Sequence, residues 1–180
     1  MISQTRIFAV LVAAAATSSA FASDGTINFR GELVDSTCTV TVNGQVAPAA
    51  ATVTLPTLST KMLKAATNVA GQTGFNIELS NCTGPSTTGA AFFESGAGVD
   101  PLTNNLKNTG TATNVQLQLV DATNGRVIRT GNFEQVANTS RILKVATGST
   151  ILPYAVQYVA TGVAVAGTVL GTVTYSINYQ

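Results

Sequence analysis

Hydrophobic and polar positions alternate along the last part of the chain. The odd positions from Val163 to Tyr179 carry apolar side chains or glycine, whereas the even positions from Thr172 to Gln180 are polar. Alternation with a period of two over this distance predicts a long strand with one buried face and one solvated face. We expect the apolar face to lie against a core. The last strand of an ordinary β-sandwich would show the same pattern.

A second alternating segment lies near the N-terminus. Gly25, Ile27, Phe29, Gly31 and Leu33 fall on one face of the predicted strand, and polar or charged residues separate them. Two interpretations are open. The segment could be the first strand of the domain's own sheet. It could instead add to an exposed sheet edge of another chain, where its backbone gives affinity and alternate side chains fill pockets.

Short runs rich in Val, Ile, Thr and aromatic residues fill most of the remaining chain, separated by Gly, Asn, Pro and Ser. This pattern predicts β-strands joined by turns. Asn43-Gly44 and Asn124-Gly125 are turn dipeptides, and the second predicts a hairpin. Residues 61–70 could form a short helical turn. Many short strands at this spacing predict one all-β domain, a sandwich or a barrel. The predicted strands are residues 26–34, 39–42, 51–55, 75–79, 90–93, 115–120, 126–128, 151–160 and 167–179.

The first 22 residues have the organisation of a signal peptide. Arg6 precedes an unbroken apolar run, residues 7–16, and Ala20-Phe21-Ala22 matches an A-x-A cleavage site. The run is shorter than the roughly 20 residues that a membrane-spanning helix needs. We therefore expect cleavage after Ala22 and export of the rest of the chain.

The chain has two cysteines, Cys38 and Cys82. An even number of cysteines in an exported protein predicts a disulfide. Closing a loop of this size would stabilise the fold by about 4 kcal/mol. The alternative, a metal or redox role, has little support because the chain has no histidine and no further cysteine.

The composition argues against catalysis and against nucleic-acid binding. Without histidine, Ser-His and Cys-His pairs cannot form, and no glycine-rich phosphate loop is present. The carboxylates are scattered, although two of them could still meet in space. Removal of Arg6 with the signal peptide leaves equal numbers of acidic and basic residues and no basic block. We predict no catalytic residues, no cofactor and no metal.

Four features occur together in the mature chain: the alternating stretch at residues 27–34, Cys38 soon after it, Asn81-Cys82, and a C-terminal segment with penultimate Tyr179 and with Gly167 fourteenth from the end. With these features the chain resembles subunits of chaperone–usher pili of the type 1 fimbrial family. The resemblance covers nearly the whole mature chain. The two ends match specifically, and the middle is only compatible.

The resemblance implies an incomplete immunoglobulin-like β-sandwich that lacks its last strand and is completed by a donated strand. It divides the chain into a signal peptide (1–22), a donor-strand extension (23–34) and a pilin domain (35–180). The donated face would consist of Gly25, Ile27, Phe29, Gly31 and Leu33, with Gly31 where the groove floor comes close. The residues that serve the groove and the chaperone would be Gly167, Val173, Tyr175, Ile177, Tyr179 and Gln180, the last through its carboxylate.

The expected function is that of a non-enzymatic structural subunit of a fimbria, which polymerises by donor-strand exchange and supports adhesion of the bacterial cell. The expected partners are other pilus subunits in a homopolymer or heteropolymer, a periplasmic chaperone, an outer-membrane usher and a host-surface receptor. The protein would travel through the periplasm to the surface fimbrium. The alternative is a monomeric exported adhesin or lectin-like sandwich, which should stay soluble without its N-terminal residues.

Overall fold

The computed structural model describes residues 27–28, 30–31, 33, 35–47, 50–145 and 147–180. The chain divides into two compact units, Met1–Glu32 and Leu33–Gln180, and the helices and strands that the structure describes lie in the second. The predicted signal peptide, Gly25 and Phe29 lie outside the described residues. In the described part of the chain, no helix is both long enough and apolar enough to cross a membrane.

Two antiparallel sheets account for the described strands. Their bounds are β1 (Thr39–Val42), β2 (Gln45–Val46), β3 (Val69–Ser80), β4 (Thr88–Phe93), β5 (Thr113–Asp121), β6 (Val127–Ile128), β7 (Ile142–Leu143), β8 (Ser149–Val165) and β9 (Tyr175–Tyr179). One sheet has the order β2-β1-β3-β8-β5-β6, and the other has the order β7-β4-β9. Two short helical elements, a 3₁₀ turn at Thr60–Met62 and α1 (Gln135–Asn138), lie in the connections.

The hydrophobic core lies between the two sheets. Ile77 of β3, Phe93 of β4, and Leu152 and Tyr154 of β8 are almost completely buried and belong to one cluster. The rings of Phe93 and Tyr154 meet edge to face, with centroids 5.1 Å apart. Each fully buried side chain of this size contributes about 1.5–3 kcal/mol. A second, smaller cluster surrounds Leu63 near the C-terminal end of β8.

Most of the predicted strands are confirmed. Residues 39–42 coincide with β1, and the segments predicted around β3, β4, β5, β6 and β8 fall inside or overlap those strands. Both turn dipeptides form hairpins. Asn43 and Gly44 have φ values of 47° and 83°, the combination that gives a two-residue turn whose twist matches the flanking strands. The predicted helical turn is shorter than expected, covering Thr60–Met62.

The prediction that one alternating strand face begins at Val163 is wrong. β8 continues to Val165, and both Val163 and Val165 are exposed. The chain leaves the strand near Gly167, where a Cβ would collide with the backbone of Thr111 and Ala112. The alternation therefore runs across a turn, and of the predicted strand 167–179 only β9 is paired as a strand.

Two further predicted strands are not strands in the structure. The described residues of segment 26–34 form no strand, and segment 51–55 is extended but unpaired. Conversely, β2 and β7 were not predicted. Each has two residues, which is too short for alternation to be visible.

The predicted disulfide is confirmed. Cys38, directly before β1, is bonded to Cys82, which follows β3, and their Cα atoms are 4.1 Å apart. β1 and β3 pair with Thr39 opposite Ser80, so the strand register itself brings the two cysteines together. We call this end of the domain the disulfide pole.

Side chains from other elements close one edge of β4. β7 pairs with β4 only at Thr88 and Gly89. Further along, the Ala91 N–H donates to Tyr154 Oη at 2.8 Å, and the Phe93 N–H donates to Gln135 Oε1 at 2.9 Å. Burial raises the pKa of Tyr154 to about 12, so the hydroxyl stays neutral in its hydrogen bond with Ala91.

Replacing this tyrosine by phenylalanine (Tyr154→Phe) should lower the free energy of unfolding by about 1–3 kcal/mol, because the Ala91 N–H would be buried without an acceptor. It should also weaken the alkaline sensitivity of the fold. An unfolded tyrosine ionises near pH 10, whereas folded Tyr154 keeps its proton until about pH 12. The unfolded state therefore loses its proton first, and stability falls as the pH rises through this window.

Urea unfolding at about pH 8 and about pH 11 checks this prediction. The half-buried Tyr158, Tyr175 and Tyr179, whose pKa values burial also raises, should leave a smaller pH dependence in the variant. An equal loss of stability with pH in both proteins would contradict the role given to Tyr154.

Candidate functional site: an open apolar groove

A long groove of about 660 Å³ opens on one side of the sandwich. One wall is formed by residues 50–55 and the other by residues 171–177, and side chains of both sheets form its floor. None of the lining side chains is charged. The largest floor residues are Phe75, Ile77, Phe93, Leu106, Leu117, Leu119 and Val156.

The wall that contains β9 presents unpaired backbone groups to the groove. Thr88 and Gln180 exchange hydrogen bonds in both directions, and the Glu94 N–H donates to the Thr174 carbonyl. Bonded and non-bonded pairs alternate along an antiparallel ladder. The even residues of this wall therefore bond to β4, whereas the N–H and C=O groups of the odd residues point away from β4 into the groove. Those odd residues are Val173, Tyr175 and Ile177.

The opposite wall is an extended segment without a backbone partner among the described residues. Ala51, Val53 and Leu55 are half-buried and pack on the core, while Thr52 and Thr54 are exposed. Within the described residues, no backbone hydrogen bond involves residues 50–55. The sequence predicts a strand at 51–55, and the structure has an extended but unpaired segment there. Its membership in the groove was missed, because alternation does not show which edge lacks a neighbour.

Gly171 is a second groove residue that sequence reasoning did not single out, although it lies in the odd series. A Cβ at Gly171 would come within 2.9 Å of Leu117 Cδ1 and 3.4 Å of the Lys107 carbonyl oxygen. The wall and the floor therefore approach each other closely at this end of the groove.

The predicted C-terminal residues divide into two groups. Val173, Tyr175 and Ile177 line the groove, and burial raises the pKa of Tyr175. Tyr179 is half-buried against the same core, and an oxygen of Gln180 accepts hydrogen bonds from the Thr87 and Thr88 N–H groups at 2.7 and 2.8 Å.

Gly167, the remaining residue of the predicted set, does not line the groove. It is exposed and lies against the backbone of Thr111 and Ala112. Its role in the structure is the turn after β8, which only a residue without a side chain can make at this distance.

The predicted donor residues that the structure describes are exposed. Ile27 keeps 78% of its surface accessible and Leu33 is fully accessible. Among the described residues, nothing lies within 4 Å of a Cβ built on Gly31. Two large apolar side chains are thus available for a partner.

The groove can bind an extended segment with apolar side chains on one face. Its walls offer backbone donors and acceptors on both sides, and its floor offers apolar contacts. The described residues contain no group of three or more His, Cys, Asp or Glu side chains that could hold a metal ion.

Comparisons with known proteins agree with this geometry. The family described as type-1 fimbrial protein A (FimA) matches residues 55–180. The F17 fimbrial protein of Escherichia coli is 41% identical over 176 residues, covering 94% of this chain and 95% of the relative. The major fimbrial subunit SMF-1 of Stenotrophomonas maltophilia is 40% identical over 172 residues, covering 93% and 99%.

Among solved structures, the P pilus rod subunit PapA is similar in fold. The TM-score is 0.54 at 16% identity, covering 78% of this chain and 99% of PapA. The fold is thus an immunoglobulin-like β-sandwich of the incomplete pilin type.

The chain belongs to the type-1 fimbrial protein family. It is a structural subunit of a fimbria on the bacterial surface, and fimbrial subunits polymerise with one another.

Proposed function

We propose that this subunit polymerises by donor-strand exchange, in which residues 23–33 of one copy fill the groove of another. The observation that carries the proposal is the groove itself, with an apolar floor and unpaired backbone on both walls. An inserted strand would bond to the odd residues of the β9 wall and to residues 50–55. It would turn two exposed edges into the interior of a sheet.

The N-terminal segment has the length and the pattern of the missing strand. The groove wall formed by residues 171–177 is about 20–25 Å long. Nine extended residues of the N-terminal segment span about 30 Å, which is enough to cover this wall. Ile27, Phe29 and Leu33 follow one another on a single face. Burial of these three side chains in the groove would supply about 1.5–3 kcal/mol each.

An empty groove of this kind favours aggregation. We therefore infer that a periplasmic chaperone occupies the groove first, that Tyr179 and Gln180 contribute to its capture, and that an outer-membrane usher assembles the subunits. A receptor on a host surface would be bound by the assembled fimbria. The role of the subunit is structural, without catalysis.

Deletion of residues 23–33 should leave a folded subunit that accepts a strand but donates none. If the segment belonged to the domain's own sheet, its loss would remove three core side chains and several kcal/mol of stability. Circular dichroism and urea unfolding measure folding, and electron microscopy of fibres measures polymerisation.

The matched control removes the last four residues, 177–180, which belong to the domain. That deletion should lower the yield of folded subunit. If the N-terminal deletion lost folded protein equally, or if it still formed long fibres, the donor-strand proposal would be wrong.

A further inference from the structure

The end of the domain opposite the disulfide pole exposes a group of large apolar side chains. We call this surface the head. Its residues are brought together by the pairing of Val69 with Val159 and of Thr113 with Val165, and by the hydrogen bond from Ala164 N to Leu63 O. Large exposed apolar patches mark interaction sites. The exposed side chains are Met62, Val69, Val163, Val165 and Leu170.

The head also carries two lysines without a counter-charge. Lys61 and Lys64 flank buried Leu63, and both are exposed. They are the charged residues of the whole stretch between Asp35 and Glu78. Neither has an ion-pair partner among the described residues.

The disulfide pole carries a surface of complementary character, which we call the tail. Leu143 and Val145 keep 72% and 42% of their surfaces accessible, and Asp35 is exposed beside Gly84. The one lysine at this end, Lys144, donates from Nζ to the Thr83 and Gly84 carbonyl oxygens at 3.2 and 3.0 Å. The tail thus offers apolar side chains and the Asp35 carboxylate, which has no ion-pair partner among the described residues.

The direction of the chain decides which surface meets which. The segment before Cys38 leaves the domain at the disulfide pole, where the Thr83 N–H donates to the Thr37 carbonyl. The head lies at the other end of β8, a strand of 17 residues that extends about 50 Å. The tail of each copy therefore lies beside its own donor segment, and the neighbour that accepts this segment comes close to the tail. Repeated head-to-tail contact gives an open filament.

We propose that the head of one copy docks on the tail of the copy whose strand fills its groove, with Lys61 and Lys64 facing Asp35. This contact rests on the proposed donor-strand exchange and adds a second interface to it. Leu170 directly precedes Gly171 at the mouth of the groove, so the two interfaces are continuous. The inserted strand provides the affinity between two subunits. The head–tail contact raises the rate at which a subunit is added and fixes the orientation in which it is added.

The test measures assembly of refolded full-length mature subunits by light scattering. A glutamate at Val163, where 67% of the surface is accessible, should slow assembly by about tenfold. The matched control is the same substitution at Val127, which is 47% accessible on β6 and distant from both ends. The control should assemble at the rate of the wild type. Equal rates for Val163→Glu and Val127→Glu would overturn the docking surface.

Exchanging the charges of the head and the tail tests the electrostatic contribution to the head–tail contact. The double variant Lys61→Glu/Lys64→Glu should assemble about three- to tenfold more slowly at low salt, and Asp35→Lys should do the same. Combining all three substitutions should restore the rate to within about twofold. Failure of the combination to recover would refute the pairing of these charges.

Binding of a synthetic peptide of residues 23–33 separates this inference from the proposed function. The peptide contains the donor strand and lacks Asp35, so every head variant should bind it like the wild type. If the wild type did not bind the peptide, the proposal of donor-strand exchange would be refuted. If the head variants lost peptide binding, their slow assembly would belong to the groove, and the head–tail contact would be refuted.

Discussion

Fusing residues 23–33 to the C-terminus through a flexible linker should give a monomer that is several kcal/mol more stable than the parent subunit. The fused strand can reach the groove beside β9 without a second copy, and its high effective concentration favours insertion. Ile27, Phe29 and Leu33 then become buried at about 1.5–3 kcal/mol each, from which the ordering of the strand must be subtracted. Urea unfolding measures the gain in stability, and size-exclusion chromatography shows whether the fusion protein is a monomer.

The control for the fusion carries aspartate at Ile27 and Phe29 in the added copy. It has the same length and linker but cannot fill the apolar floor. It should be no more stable than the parent and should still polymerise. A fusion protein whose stability does not exceed that of this control would show that the groove does not accept the segment.

Replacing Cys38 and Cys82 by alanine should leave little folded subunit. The disulfide closes a loop with a sequence separation of 44 and contributes about 4 kcal/mol by restricting the unfolded chain. That is a large share of the stability of a domain this size, and the empty groove leaves the core of this subunit incomplete. The yield of soluble protein and its urea midpoint, each compared with the wild type, check the prediction.

The same double alanine variant in the C-terminal fusion serves as a control. The added strand should recover part of the loss, because the two effects act on different parts of the structure. Wild-type stability of the cysteine variant without the fusion would contradict the structural role of the disulfide.

Much of the fold could be predicted because its strands contain runs rich in Val, Ile, Thr and aromatic residues, separated by turn residues. β3, β5 and β8 were each located over part of their length from such a run. The pairing of Cys38 with Cys82 also followed from the export signal and the even cysteine count, and the register of β1 and β3 explains it in three dimensions.

What the sequence could not give is which edges remain free. Segment 51–55 alternates as well as any paired strand, yet it has no backbone partner in the described structure. The turn at Gly167 was hidden for a related reason. Val163 and Val165 continue the odd series, but they lie on an exposed part of β8, and their apolar character belongs to the head and not to the groove.

The candidate site was therefore predicted in part. Val173, Tyr175 and Ile177 were identified through the resemblance to pilus subunits, and they line the groove. Gly171 and residues 50–55 were not identified, because the sequence does not show which elements face each other across the groove. The donor role of residues 23–33 stays a prediction.

Residue-resolved amide hydrogen exchange by NMR tests the central claim most directly. The peptide of residues 23–33 should slow exchange at Val173, Tyr175 and Ile177, whose N–H groups face the groove. It should change the even residues little, because they are already bonded to β4. An Asn28→Ala peptide should act like the natural one, and a Gly31→Trp peptide should fail because its side chain meets the groove floor. If the natural peptide left the odd amides unprotected, or if the Trp peptide protected them equally, donor-strand completion of this groove would be contradicted.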